Sequence, residues 1–308
     1  VLRCVLCSNV KIDSAEGLIE FSNKVNSGLS YLGTTVFLDA DIDFSGYFSD
    51  QFKPIGKSSN YYYFQGSFDG QGYIISNLAV NSSLQYVGLF GYAKGATGAA
   101  IRNVVLDSSC SITSSFEYSH SYKGYIGGIV GHSYGLYSIE NCVNMASVSF
   151  TGSVGGSLYI GGISGYVCAY VNDATVKNCV NYGSITNNGE TDRYAVAGGI
   201  VGQTEGYSFI VYVRNCLNYG TVTQNGAAKL DSNTGGITGA SYSNTNLVNC
   251  VNVGGLSLIK QATDDNLIGA IVGNFVNSYS CSISHCYWTS DDSNNKAYGY
   301  GTPTVIQS

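Results

Sequence analysis

Three aspartates at alternate positions form the densest group of carboxylates in the sequence: Asp39, Asp41 and Asp43. In an extended strand, alternate side chains point to one face, so the spacing predicts three carboxylates side by side. Carboxylate oxygens are suitable ligands for a hard cation such as Ca²⁺. The alternative is a solvated strand face with local turn hydrogen bonds. We favour this alternative and predict no metal site.

Other groups able to carry catalytic chemistry are few and scattered. The three histidines, His120, His132 and His285, lie at unrelated offsets, and the zinc-peptidase motif H-E-x-x-H is absent. Asp69 belongs to an Asp-Gly pair, which is typical of a tight turn. Polysaccharide hydrolases and lyases need clustered carboxylates, often with Arg, Lys or Ca²⁺. We therefore predict no catalytic residues, no cofactor and no enzymatic activity.

The ten cysteines fall into different classes. Five occupy the same slot of a recurring phrase, written "RNCLNYGTVT" at Arg214–Thr223 and "KNCVNYGSIT" at Lys177–Thr186. These five are Cys142, Cys179, Cys216, Cys250 and Cys286. Another four are candidates for disulfides in an oxidising compartment, where they allow three pairings. These four are Cys4, Cys7, Cys168 and Cys281.

The cysteine phrase alternates with a second phrase of the type "GGIVG", which recurs at intervals of 34 to 40 residues. Between these phrases lie short aliphatic segments, which are separated by Gly, Asn and Ser and lack a helical period. Short strands in fixed order with turns of variable length predict one coil of a parallel β-helix per repeat.

Alignment of the repeats gives columns of side chains that we expect to stack inward, about 4.8 Å apart. Parallel Cβ vectors keep stacked cysteines too far apart for a disulfide, so the third column is predicted to be a ladder of free thiols. The first column is Leu89, Ile129, Ile163, Ile200, Ile237 and Ile271. The second is Ile101, Ile139, Val176, Val213, Leu247 and Ile283. The third is Val104 followed by the five cysteines, and the fourth is Cys110, Val148, Ile185, Val222 and Leu256.

Asparagine and tyrosine leave two functional alternatives open. Stacked Asn amides can hydrogen-bond along the axis or serve surface recognition. The 26 tyrosines can cover sheet faces or act as contact residues for proteins and sugars. The Asn columns are Asn141, Asn178, Asn215 and Asn249, then Asn144, Asn181, Asn218 and Asn252. The tyrosines considered for binding include Tyr118, Tyr122, Tyr125, Tyr134, Tyr137, Tyr207, Tyr212 and Tyr219.

Composition and short motifs narrow the range of binding partners and modifications. With 14 Lys and Arg and a net charge of -6, the chain has no basic face for nucleic acid. No run of about 18 apolar residues is present, which predicts no membrane span. Asn81-Ser82-Ser83 is an N-x-S/T sequon in a polar stretch that reads as a turn, so Asn81 is a candidate for N-glycosylation after secretion.

The N-terminal part of the sequence predicts a helix and contains motifs that resemble those of a known family. "DSAEGLIEFSNKVNSG" (Asp13–Gly28) has an Asp13-Glu16 capping box and an apolar face, and we expect it to plug the first coil. The strand "TTVFLDADIDF" follows, then "PIG", "GSFDGQGYIISNL", "GLFG" and the repeated "GGIVG…NC". This order, over about residues 13–290, resembles the GLUG-motif β-helix proteins, which are repeat regions of bacterial and protist surface proteins, including IgA-peptidase-like chains. The resemblance implies a right-handed, extracellular parallel β-helix used as a stalk, adhesive surface or scaffold.

The sequence therefore predicts an all-β chain in three parts: an N-terminal strand or contact segment over 1–12, a β-helix over 13–290 with its capping helix at about 14–27, and a C-terminal extension over 291–308. We expect a non-enzymatic extracellular or cell-surface protein. The first hypothesis is a filament or scaffold subunit that assembles end to end with copies of itself. The alternatives are a monomeric adhesin that binds surface glycans or proteins, and a carbohydrate-active enzyme.

Overall fold

The computed structural model describes residues 9–95, 98–118, 121–259, 265–276, 280–289, 296–300 and 304–306. It is an all-β parallel solenoid of about seven coils with one α-helix near the N-terminus, as the repeat predicts. All strand pairs among these residues are parallel, and each strand pairs with the equivalent strands of the adjacent coils. The right hand of the coil stays a prediction.

A full coil passes through six sheets, which we number in the order that the chain visits them. Sheet 1 has ten strands: Val10–Ile12, Thr35–Leu38, Ser67–Asp69, Ala100–Arg102, Ser138–Glu140, Ala174–Lys177, Val211–Arg214, Thr245–Val248, Ser282–Ser284 and Thr304–Ile306. Sheet 2 has eight: Ile42–Asp43, Ile74–Ser76, Val105–Leu106, Val143–Asn144, Val180–Asn181, Leu217–Asn218, Val251–Asn252 and Tyr287–Trp288. Sheet 3 has six: Ala79–Ser82, Ser111–Ser114, Ser147–Phe150, Ile185–Asn187, Val222–Gln224 and Leu256–Leu258.

The remaining three sheets close the coil. Sheet 4 has three short strands: Glu117–Tyr118, Ser153–Val154 and Glu190–Thr191. Sheet 5 has six: Tyr86–Val87, Gly124–Gly127, Leu158–Gly161, Ala195–Gly198, Ser232–Gly235 and Asn266–Gly269. Sheet 6 has seven: Phe90–Lys94, Val130–Tyr134, Ser164–Ala169, Val201–Gly206, Thr238–Tyr242, Val272–Phe275 and Tyr298–Tyr300. The "GGIVG" phrase makes the corner between sheets 5 and 6.

The predicted inward columns form the core. The first column, from Leu89 to Ile271, is fully buried, and the second is in direct strand register from Ile101 to Ile283. The placement of Cys110 in the fourth column is wrong, because Val148 pairs with Ile112. Leu106 pairs with Asn144, and Ile112 pairs with Val148. Between these two pairs, the first coil advances six residues and the next coil advances four. The turn before Ile112 is two residues longer, and Cys110 is buried within it.

Two asparagine ladders run along the axis: the inner one lies in the sheet 2 strands, and the outer one lies in the turns that precede them. The inner ladder is buried, and the amide nitrogens of its first three members each donate at 2.8 Å to the amide oxygen of the next coil. The outer ladder has φ near 54° at Asn141 and Asn178, a left-handed conformation that Asn tolerates. His285 takes the same turn slot with a φ of 52°, which indicates a structural role. The inner ladder is Asn144, Asn181, Asn218 and Asn252.

The Asn218→Ala variant is expected to lower the free energy of unfolding by about 2–4 kcal/mol. It removes the donor to the Gly220 carbonyl and to Asn252, and it removes one of the two acceptors of the Asn181 amide nitrogen, which keeps the Gly183 carbonyl. Each buried group left unpaired costs roughly 1–3 kcal/mol. Denaturant unfolding measures the change. Asn225→Ala removes one exposed amide hydrogen bond to Asn188 and is the matched control, and an equal loss in both variants would contradict the role of the inner ladder.

The helix covers the first coil, as predicted, but begins differently. It spans Ala15–Asn26, and its N-cap is Ser14, whose hydroxyl accepts from the Gly17 amide, so the expected Asp13 capping box is wrong. Ser has the β-region backbone that an N-cap needs and a short oxygen within reach. The buried face includes Phe21, whose ring packs 6.0 Å from that of Phe68 in the coil below.

Both chain ends add strands to their own solenoid within the described residues. Val10–Ile12 pairs with Thr35–Leu38, and Thr304–Ile306 pairs with Ser282–Ser284. Tyr298–Tyr300 pairs with Val272–Phe275 in sheet 6. Solenoid pairing therefore continues past residue 290, into the segment for which the sequence predicted an extension.

Candidate functional site

The three N-terminal aspartates do not share one strand. A turn separates Thr35–Leu38 from Ile42–Asp43, so the expected continuous strand face is wrong. Asp39 pairs with Lys11 at 2.9 Å, and Asp41 accepts the Ile74 amide at 2.8 Å. Asp43 accepts from Ser45 and Asn77, and these bonds, that of the Ser45 hydroxyl first, lower its pKa to about 2. Within the described part of the chain, no three His, Cys, Asp or Glu side chains converge as a metal site.

The repeated cysteines line the core as free thiols. Cys142, Cys179, Cys216 and Cys250 are fully buried, and Cys286 is half-buried at the C-terminal end of the column. The Cys179 thiol contacts those of Cys142 and Cys216, and burial raises its pKa well above the ordinary value. The buried cysteines of the ladder thus act as small apolar side chains.

Cys168 and Cys281, predicted as disulfide candidates, are both buried, and Cys168 is a free thiol. Cys168 pairs with Glu205 of the next coil, and Glu205 pairs with Tyr242 of the coil after that. Cys281 follows one coil further on, so the two cysteines lie about 14 Å apart along the axis. A disulfide between them is excluded because it needs a Cα separation below about 7 Å. Cys4 and Cys7 lie outside the described residues.

Asn81 lies in the sheet 3 strand Ala79–Ser82 rather than in a turn. Its position is exposed, and it pairs in register with Thr113 of the next coil. The turn expectation failed because Asn and Ser on the solvent face of a strand have the same composition as a loop. Glycosylation of Asn81 stays a prediction.

Aromatic side chains fill the outer angle between sheets 5 and 6 in the N-terminal coils. On sheet 5, the ring of Tyr125 stacks on Tyr86 at 5.0 Å and on Tyr159 at 5.4 Å. On sheet 6, His132 lies against Tyr125 at 4.6 Å and edge-on to Tyr166 at 5.0 Å. His132 is 8 % exposed, and burial lowers its pKa to about 3, so the imidazole is neutral at physiological pH.

The same two columns become small or polar in the following coils, and a cleft opens there. On sheet 5, Tyr159 is followed by Val196 and then Asn233. On sheet 6, Tyr166 is followed by three smaller side chains: Gln203, Ala240 and Asn274. The loss of ring volume leaves a cleft of about 330 Å³, which is within the range of small-ligand sites.

Two asparagines of the cleft have unpaired amide oxygens. Asn233 and Asn274 line the cleft, and the Oδ1 atom of each is buried without a hydrogen-bond partner among the described residues. These side chains are only 3 % and 6 % exposed. Glu205 adds a carboxyl group, and burial is the main reason that its pKa is raised. Other buried oxygens of the described residues also lack a partner, among them the Oδ1 atom of Asn144, and those of Asn233 and Asn274 differ in belonging to residues that line the cleft.

Tyrosine rings and two cations form the rim. Tyr159, Tyr194 and Tyr242 line the cleft together with Lys123 and Arg193. The Lys123 ammonium lies 5.9 Å from the centre of the Tyr159 ring, and the Arg193 guanidinium lies 5.9 Å from that of Tyr194. The site therefore combines ring faces, amide oxygens and fixed positive charge.

Sequence reasoning missed this cleft. The tyrosines singled out there are divided: Tyr125 and Tyr134 join the aromatic cluster, whereas Tyr122, Tyr137 and Tyr219 are exposed elsewhere. The signal was present in the residues flanking the "GGIVG" phrases. They change from "GYIGGIVGH" through "LYIGGISGY" to "AVAGGIVGQ" and "SNTGGITGA", a step from aromatic to small.

In the described part of the chain, no helix has the length and apolar character to span a membrane. No protein-family model matches the chain, and no curated protein does. Among solved structures, the fold is similar to that of a Bacteroides ovatus protein provisionally named an immunoglobulin A1 protease, with a TM-score of 0.64 and 21 % identity. The match covers 97 % of this chain and 84 % of that protein. At this identity the likeness shows a shared β-solenoid fold.

Proposed function

We propose that the chain is a non-catalytic, extracellular saccharide-binding β-solenoid whose binding site is the cleft between sheets 5 and 6. The observation that carries this proposal is a pair of cleft-lining residues, Asn233 and Asn274, whose buried amide oxygens have no hydrogen-bond donor among the described residues. Leaving a buried acceptor unpaired costs roughly 1–3 kcal/mol, and a ligand that supplies donors recovers that energy.

A saccharide fits this combination of groups. Its hydroxyls donate to the two amide oxygens, and its C–H faces pack on the more exposed rings of Tyr194 and Tyr242. Tyrosine presents an apolar face and a polar tip with little rotamer entropy to lose. The cleft also lies along the solenoid axis across several coils, so an extended sugar chain can occupy it lengthwise.

Binding is favoured over hydrolysis by the acidic groups. The lining includes two carboxyl groups, Glu205 and Asp231, which is the number that a glycoside hydrolase uses, but each already makes a hydrogen bond within the chain. Asp231 already accepts the backbone amide of Asp265 at 3.4 Å. Glu205 shares a hydrogen bond with Tyr207, which suits a fixed polar contact.

End-to-end assembly, the first hypothesis from the sequence, stays a prediction. It requires a terminal segment that can add a strand to a neighbouring copy. Thr304–Ile306 instead pairs with Ser282–Ser284 of its own chain. Residues 1–8, including Cys4 and Cys7, lie outside the described residues.

Titration calorimetry against a panel of neutral and acidic oligosaccharides tests the proposal. We expect at least one to bind, and Asn233→Leu to weaken that binding about tenfold while the melting temperature is unchanged or higher. Leu is accommodated at the next position of the same column, Leu267, and it removes a buried unpaired acceptor. Tyr219→Ser changes an exposed tyrosine on the sheet 2 side and is the control. Absence of binding throughout the panel, or equal effects of both variants, would overturn the proposal.

A further inference from the structure

We propose that the cleft selects an acidic saccharide, one whose sugar units carry carboxylate or sulfate groups; this inference rests on the proposed function and narrows its ligand. The observation is that Lys123 and Arg193 line the cleft without an ion-pair partner in the described part of the chain. In a chain with only 14 Lys and Arg and a net charge of -6, such a placement is informative.

Aromatic rings, rather than carboxylates, hold these two cations at the site. Lys123 lies over Tyr159 and Arg193 over Tyr194, each 5.9 Å from the ring centre. By contrast, Lys177 and Arg102, which lie outside the cleft, pair with Glu140 and Asp69. A cation held over a ring keeps its hydrogen-bond donors available, and a guanidinium can bind a carboxylate or sulfate through two parallel bonds.

The spacing of the two cations matches a sugar chain that lies along the axis. Lys123 precedes the strand Gly124–Gly127, and Arg193 precedes Ala195–Gly198, two coils further on. Two coils correspond to about 9.6 Å along the axis. This distance is comparable to a disaccharide repeat, so acidic groups on alternate sugar units would meet both cations from the same edge.

The carboxyl groups of the cleft do not cancel this preference. Glu205 projects from sheet 6, across the cleft from the strands that Lys123 and Arg193 precede. Lys123 lowers the pKa of Glu205, but burial raises it by more, so the carboxyl is less readily ionised than an exposed one. Asp231 precedes the strand Ser232–Gly235, beyond Arg193, and accepts the Asp265 amide. The rim between Lys123 and Arg193 is therefore the positive part of the site.

Calorimetry with three oligosaccharides of equal length tests this inference: an oligogalacturonate, a sulfated galacto-oligosaccharide and a neutral galacto-oligosaccharide. We expect at least one acidic ligand to bind about tenfold more tightly than the neutral one at low salt, with the ratio falling as salt rises. Tighter binding of the galacturonate identifies a carboxylate ligand, and tighter binding of the sulfated one identifies a sulfate ligand.

Charge-removing variants complete the test. Arg193→Gln and Lys123→Gln should each weaken acidic binding several-fold and leave neutral binding unchanged. Arg214→Gln is the matched control, because Arg214 lies over Tyr212 at 3.9 Å on sheet 1, outside the cleft. If the neutral ligand binds as tightly as the acidic ones and Arg193→Gln has no effect, this inference fails and the proposed function stands. If no ligand binds, both fail.

Discussion

The Ile200→Asp variant is expected not to fold. Ile200 is fully buried in the first inward column, between Ile163 and Ile237 of the adjacent coils, and its amide donates to the Ile237 carbonyl. An aspartate there loses roughly 2–3 kcal/mol of apolar burial. It also places an unpaired carboxyl group in the core, at a further cost of several kcal/mol. Since domains are stable by only about 5–15 kcal/mol, the combined loss is comparable to the whole stability of a domain.

Circular dichroism and size-exclusion chromatography of the purified variant measure this outcome. Thr221→Asp provides the control. Thr221 is exposed, and it lies in the turn immediately before the sheet 3 strand Val222–Gln224. We expect the control to melt within a few degrees of the parent chain. A folded Ile200→Asp protein with a normal melting temperature would show that the column assignment is incorrect.

The Val196→Tyr variant is expected to close the cleft and abolish saccharide binding. Val196 follows Tyr159 in strand register, just as Tyr159 follows Tyr125. A tyrosine at this position would extend the existing ring stack by one coil and fill space that now belongs to the cleft. Because the column already holds stacked tyrosines, the fold should accept the change at little cost in stability.

Calorimetry with the ligand that binds best measures the loss, which we expect to exceed a hundredfold, roughly 2.7 kcal/mol. Val196→Ala is the matched control, because it keeps the cleft open and should leave affinity within a few-fold of the parent value. Full binding by the tyrosine variant, with its fold intact, would place the ligand somewhere else on the chain.

Much of the fold follows from the sequence because a solenoid repeats its constraints. An inward side chain meets the equivalent side chain of the next coil, so Ile200 or Cys216 can be assigned by comparing repeats alone. The alignment failed where turn length changes: Cys110 lies in a turn two residues longer than its successor, and a gap-free comparison cannot show that. The expectation that alternate residues share one strand face was likewise wrong at Asp39 and Asp41, because a turn interrupts the strand there.

The cleft was harder to predict, because it results from missing volume rather than from a motif. Its acceptors, Asn233 and Asn274, are ordinary residues in the sequence, and only the three-dimensional register brings them to one cavity. Outward side chains of a sheet 5 strand and a sheet 6 strand face each other because of the angle between the two sheets. That angle depends on the "GGIVG" corner, where a Cβ on Gly199 would come within 2.2 Å of the Gly236 carbonyl oxygen, so only glycine fits.

A crystal structure of the chain soaked with its best-binding oligosaccharide is the most direct test of the central claim, that the cleft between sheets 5 and 6 binds a sugar chain. The account predicts a saccharide lying along the axis, with hydroxyls within hydrogen-bond distance of the Oδ1 atoms of Asn233 and Asn274. It also predicts an acidic group beside Arg193. An empty cleft with the sugar bound elsewhere, for example on the exposed Tyr182 and Tyr219 rings, would contradict it.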